Sequence, residues 1–170
     1  MKLTTIHKFT GFIAAIALSG IVLASGAPEW WHGHGHGGGG GAAVGKPGDP
    51  GKVRRTVTVD MSDNMRFTPS TITVKRGETI RFVVRNSGKM KHEMVLGTEG
   101  QLRELYYTRL QTPEKEYASS NGITLEAGKS GEIIWQFSKL GTVSFACLVP
   151  GHYDSGMRGT VTVKRNRVPP

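Results

Sequence analysis

Cys147-Leu148-Val149-Pro150-Gly151-His152-Tyr153-Asp154-Ser155-Gly156-Met157 is the stretch around which the rest of the chain is organised. It carries the only cysteine of the 170 residues, then a histidine and a methionine, each donor four residues clear of the next. A thiol, an imidazole and a thioether on one loop form a soft ligand set, better suited to copper than to magnesium, calcium or manganese. A trigonal blue-copper centre takes two His, one Cys and a weak axial Met. The loop offers three of these four. Beyond residue 36 the chain has one other histidine, His92, in the strand-like run Lys91-His92-Glu93-Met94-Val95-Leu96. Taken singly, a lone Cys reads as a small buried hydrophobe, a lone Met as core filler and a lone His as structural. Taken together they supply a complete copper ligand set: His92, Cys147, His152 and Met157.

One upstream His, followed by Cys, His and Met on a late loop, resembles the cupredoxins, the family of plastocyanin and azurin. The runs Phe67-Thr68-Pro69, Ile72-Thr73-Val74, Gly77-Glu78-Thr79 and Phe82-Val83-Val84-Arg85-Asn86 look like the strand pair that precedes the first His in that family. The resemblance covers residues 53 to 165. The Cys-x4-His-x4-Met spacing is wider than the Cys-to-His gap of plastocyanin and is more like the loops of multicopper oxidases and of periplasmic copper-tolerance cupredoxins. The resemblance implies Cys147 as thiolate ligand, His92 and His152 as neutral imidazole ligands, and Met157 as the weak axial ligand. Met90 and Met94 flank His92 at two-residue intervals and would share its face on a strand. Met157 is preferred as the ligand because its place on the Cys loop matches the family pattern. One departure stands out: plastocyanin and azurin have an Asn after the first His, where this chain has Glu93.

The N-terminus reads as a secretory signal over residues 1–27. Lys2 and Lys8 precede an apolar run from Gly11 to Ala24, short for a membrane span, and small residues follow at Ala24 to Ala27. This places the mature chain in the periplasm, without stable membrane insertion after cleavage. An exported chain with one cysteine forms no internal disulfide, so its thiol must be buried or bound to metal. Residues 28–52 contain Trp30-Trp31-His32-Gly33-His34-Gly35-His36 and a run of glycines, and read as a flexible tail. Alternating His and Gly suggests a second, weak metal site on His32, His34 and His36.

Residues 53–165, roughly 115 positions, suit one domain with a real core; residues 166–170 form a short C-terminal tail. Alternating apolar positions mark strands at Val53–Asp60, Ser70–Lys75, Thr79–Asn86, Lys91–Leu96, Glu132–Phe137, Thr142–Leu148 and Gly159–Arg165. Arg55 interrupts the apolar face of the first. Turn formers separate the strands. This predicts an all-β, Greek-key sandwich of seven or eight strands. Residues 98–122 break the pattern. There Leu102, Leu105, Tyr106 and Leu110 recur at helical spacing, and Pro113 ends the run, so a short amphipathic helix is expected to pack its stripe on the sandwich.

The formal net charge is +9, or +7 once Lys2 and Lys8 leave with the signal. Such a surface can steer acidic redox or copper-donor proteins. Export and the lack of an aromatic–basic recognition motif argue against nucleic acid. A monomer is expected. The folded region has no spare histidine for oxygen or nitrite chemistry, so a copper-binding protein rather than an enzyme is expected, with one-electron oxidation of Cu(I) left open. Two functions share this centre: copper tolerance in the periplasm, and one-electron transfer in a redox chain. The His-Gly arm favours the first.

Overall fold

The computed structural model describes residues 44–113 and 119–166. Among the described residues ten strands form two five-stranded sheets, joined by the α-helix Glu99–Gln111 and one 3-10 turn. In chain order the strands are β1 (Lys46–Pro47), β2 (Val53–Ser62), β3 (Arg66–Thr68), β4 (Thr71–Lys75), β5 (Thr79–Asn86), β6 (His92–Gly97), β7 (Gly122–Leu125), β8 (Ser130–Gln136), β9 (Gly141–Ala146) and β10 (Arg158–Lys164). The helix, α1, spans Glu99–Gln111 between β6 and β7. One sheet runs β1-β8-β5-β2-β3 and the other β4-β10-β9-β6-β7. Consecutive strands repeatedly change sheet, which gives the crossed connections of a Greek-key sandwich.

The seven strands marked by alternation are all present. Three short ones, β1, β3 and β7, join them; two to four residues are too few to show a period-2 pattern in sequence. The inward positions of β5, namely Ile80, Phe82 and Val84, are fully buried in one core with Phe145 and Val161 of the other sheet, and Phe82 meets Phe137, just past the neighbouring strand β8, edge to face at 6.1 Å. Burial of each such side chain contributes about 1.5–3 kcal/mol. Arg55, which broke the apolar face of β2, coincides with a register shift between Val53 and Arg55 in the β2–β5 pairing. Its guanidinium is carried outward to the Thr73 carbonyl at 2.7 Å and to Glu78 at 3.4 Å.

The folded body begins before Val53. Val44 is buried, its carbonyl accepts the Trp135 indole N–H at 3.0 Å, and Lys46–Pro47 pair with Trp135–Gln136 of β8. Gly45 sits at φ 119, and a Cβ there would strike the Gln136 carbonyl. Lys46–Pro47 and Pro50–Lys52, within the stretch assigned by composition to the tail, are therefore strand and 3-10 turn. The glycine-rich composition of the tail hid a short edge strand whose partner lies far along the chain.

Helix α1 starts where expected, with Thr98 as N-cap in a reciprocal capping box with Gln101. Its buried residues are Leu102, Tyr106 and Arg109. Leu110, expected in the apolar stripe, is exposed, and Arg109 takes the inward place. The helix covers the outer face of β6 and β9, packing on Val95, Ala146 and Leu148. Strand β6 is consequently buried on both faces. Among the described residues no helix is long and apolar enough to cross a membrane; the apolar run of residues 11–24 and the signal reading lie outside them.

Candidate metal centre

Strand β6 opens with His92, and the β9–β10 connection is the Cys147–Met157 loop. Cys147 follows the last residue of β9 and Met157 precedes the first of β10. The loop is closed at its base by the Cys147 N–H donating to the Met157 carbonyl at 3.1 Å. Within it, the His152 N–H donates to Val149 O at 3.0 Å and the Met157 N–H to His152 O at 3.1 Å. Gly151 and Gly156 adopt φ of 84° and 86°, the left-handed conformation that lets the chain turn twice in so short a span.

This folding brings the predicted donors together. Cys147 Sγ lies 3.4 Å from His152 Nδ1 and 4.0 Å from His92 Nδ1. The three ligand atoms all fall within 4.8 Å of one another, and all three residues are buried. Donors bound about 2.0–2.3 Å from one ion, the range imidazole and thiolate make to zinc, stand about 3.7 Å apart in a trigonal plane, so the spacing fits one shared metal. Met157 is fully buried in the adjoining core. Of the two other methionines near His92, Met94 is core and Met90 is largely exposed. The donor chemistry fits copper: soft sulfur and borderline nitrogen, with no carboxylate among the three clustered donors. His32, His34 and His36 lie outside the described residues.

Burial pushes the Cys147 thiol up to about 12, offset in part by backbone N–H groups of Val149 and Glu93 that point at the sulfur. Without metal the thiol is therefore protonated, and metal binding must release that proton. The Glu93 N–H is 3.3 Å from Cys147 Sγ, and so serves as a donor to the thiolate once it forms. Burial lowers the His152 imidazole below its ordinary value, and the neighbouring His92 adds to the effect. A neutral, unprotonated imidazole is the form that binds metal.

Sequence reading missed the residues that hold these donors in place. The carboxylate of Asp63, in the β2–β3 turn, lies 3.1 Å from His92 Nε2. It also accepts the N–H of Lys89 at 2.8 Å and of Met90 at 3.3 Å. With Nε2 donating to Asp63, Nδ1 keeps its lone pair for the metal. Hydrogen bonds from the Lys89 N–H, above all, hold the Asp63 carboxyl below its usual range. Gly88 makes room for this carboxylate, since a Cβ there would collide with Asp63. Asn86, fully buried, donates to the carbonyls of Met90 and Leu125 at 2.7 and 3.0 Å and fixes the approach to His92. The residues between Asp63 and His92 give no local signal of this pairing; only Gly88, a glycine before the ligand strand, hints at a close approach.

Two results are expected here. Asp63→Asn keeps the shape but removes the negative charge behind His92, so Cu(II) affinity should fall about 10–100-fold, measured by competition with a chelator. Asp63→Asn at wild-type affinity would show that the contact is incidental. The copper-free protein should also lose stability as pH falls through about 6.5, the ordinary value for His152. The folded state resists protonating this ring while the unfolded state accepts the proton, so the loss begins there and ends below the depressed folded value. Denaturant melts between pH 8 and 5 check this, with His152→Gln expected to flatten the slope.

The comparisons with known proteins agree with this geometry. Residues 53–164 match the sequence profile of "Copper binding proteins, plastocyanin/azurin family". A "Copper-resistant cuproprotein CopI" of Rubrivivax gelatinosus is 51% identical over 120 residues, covering 71% of this chain and 73% of that protein. A protein of the same name from Pseudomonas aeruginosa is 33% identical, covering 72% of this chain and 83% of that one. The structure of auracyanin B superposes with a TM-score of 0.59 at 22% identity, over 71% of this chain and 96% of that one, a likeness of fold. The match spans the sandwich and includes the His92 strand and the Cys147–Met157 loop, and the chain is a member of the plastocyanin/azurin family of copper-binding proteins.

Proposed function

We propose that this chain is an exported copper-handling protein that protects the periplasm from excess copper, with His92, Cys147, His152 and Met157 as the ligands of one type 1 copper. The observation that carries the reading is the buried cage of Cys147, His92 and His152, with donor atoms within 4.8 Å of one another. Copper bound there supplies a one-electron couple. The chain's own residues do the rest: Asp63 orients His92, the Glu93 N–H faces the thiolate sulfur, and the loop hydrogen bonds hold His152 near Cys147. The tolerance role is supported by the relatives named copper-resistant cuproproteins, one of them 51% identical. The histidines of the tail, His32, His34 and His36, serve as a second, less selective site that raises the copper load. Partners of opposite charge, an acidic copper donor or redox protein, suit the net charge of +7 that remains once Lys2 and Lys8 leave with the signal.

The test is a gene deletion grown across a copper series. Copper sensitivity should appear, and the intact gene but not its Cys147→Ser form should restore resistance. Deletion of residues 31–41 should lower the copper-to-protein ratio while leaving the visible spectrum unchanged. A deletion strain with normal copper resistance and a respiratory defect in low copper would instead assign the protein to electron transfer.

A further inference from the structure

We propose that the helical insertion is a positioning element of the copper centre, acting through Arg109 on the Cys147 side and Tyr106 on the His152 side. This rests on the copper reading above. Arg109 Nη1 lies 2.6 Å from Glu93 Oε1, and both side chains are buried. The same oxygen accepts the Thr124 hydroxyl at 3.1 Å. Glu93 thus sits at a junction: its carboxylate is held by the helix and the neighbouring strand β7, while its backbone N–H points at Cys147 Sγ. A buried carboxylate is stable only with a counter-charge, and α1 delivers it. If the pair is disturbed, Glu93 has to move, and the N–H that faces the sulfur moves with it.

The second contact lies one helical turn earlier. Tyr106 Oη donates to Asp154 Oδ2 at 2.7 Å and accepts the Gly151 N–H at 3.1 Å. These two residues bracket His152 and Tyr153, so one hydroxyl staples both ends of the ligand's own turn. The Tyr106 ring stacks on Tyr153 at 4.9 Å between centroids, and Glu99, the first residue of α1, accepts the Tyr153 hydroxyl at 3.1 Å. The helix follows β6 directly, so the circuit closes: His92 and Glu93 on β6, then α1, then back to the loop that carries His152. A helix that only covered apolar surface would need Leu102 and its neighbours, but neither a buried ion pair nor this hydroxyl.

The experiment uses the mature full-length chain loaded with Cu(II), and reads the reduction potential, the visible and EPR spectra, and the rate of copper loss to EDTA. Arg109→Met leaves a negative charge behind the thiolate and should favour Cu(II) over Cu(I) roughly tenfold, about 59 mV lower in potential. Glu93→Gln should shift the balance the opposite way, and the double variant should return near the wild-type value. Tyr106→Phe, which removes one oxygen, should speed copper loss to EDTA roughly tenfold. If Arg109→Met does not fold, Glu93→Gln and Tyr106→Phe carry the test, with Arg109→Lys as the conservative rescue. Variants that melt earlier but keep the wild-type potential, spectra and copper-loss rate would overturn the proposal and leave the helix as a cover. A wild-type chain that shows no intense visible band with Cu(II) would instead overturn the copper reading itself.

Discussion

Cys147→Ser should abolish the intense visible absorption of the Cu(II)-loaded protein and lower its copper affinity by several orders of magnitude. That band arises from charge transfer between thiolate and copper, and this chain has one sulfur able to become a thiolate. The thiol is completely buried and faces both imidazoles, with His152 Nδ1 at 3.4 Å. A serine hydroxyl in the same place is a hard, neutral donor that stays protonated, so it replaces neither the charge nor the softness that select copper. The fold should survive, because serine is close in size and the Glu93 and Val149 N–H groups that point at the sulfur can accommodate an oxygen acceptor. Absorption spectra and copper titrations of the two proteins make the comparison. A strong band persisting in Cys147→Ser would sink the ligand assignment, whereas loss of fold by circular dichroism would call for Cys147→Ala.

Phe145→Ala should destabilise the copper-free protein by about 3–5 kcal/mol, the range for removing a fully buried aromatic ring. Phe145 is on β9, two residues before Cys147, and meets Phe67 edge to face at 5.0 Å and 79°. Its register partner on β10 is Gly159, and the ring occupies the space where a side chain at Gly159 would stand. Gly159→Ala should therefore also be costly in the wild-type background, because its Cβ would meet the Phe145 ring and approach the Ser70 carbonyl at 2.6 Å. In the Phe145→Ala background it should cost less, since the ring is gone and only the carbonyl remains. The two sites touch, so such non-additivity is the expected signature of direct packing. Urea melts of the two single variants and the double variant measure it. A loss below about 1 kcal/mol for Phe145→Ala would mean that the sheets close over the gap.

The donors that the fold brings together, His92, Cys147 and His152, and the sandwich itself were legible in the chain. Copper chemistry restricts ligands to a few residue types, and this chain holds one Cys and, past residue 36, two His, so the candidates could be counted. Strands such as Thr79–Asn86 are long enough to show their alternation, and the helical spacing of Leu102, Leu105 and Tyr106 marks α1 without help from tertiary contacts. The partners of the ligands were not legible. Asp63, Arg109 and Tyr106 are common residue types, and each acts through a contact with a residue 16 to 48 positions away. Nothing local separates an aspartate that orients a histidine from one that merely faces water. Helical spacing placed Leu110 inward and gave no reason to bury Arg109; the buried carboxylate of Glu93, on strand β6, reversed that choice. The edge strand Lys46–Pro47 was concealed for the same reason, since its pairing energy comes from β8, almost ninety residues later. Sequence determines which groups can bind the metal, because that depends on the chemistry of single side chains. The tertiary structure decides how firmly and in what charge environment they are held, because that depends on which distant residues the two sheets and the helix bring against them.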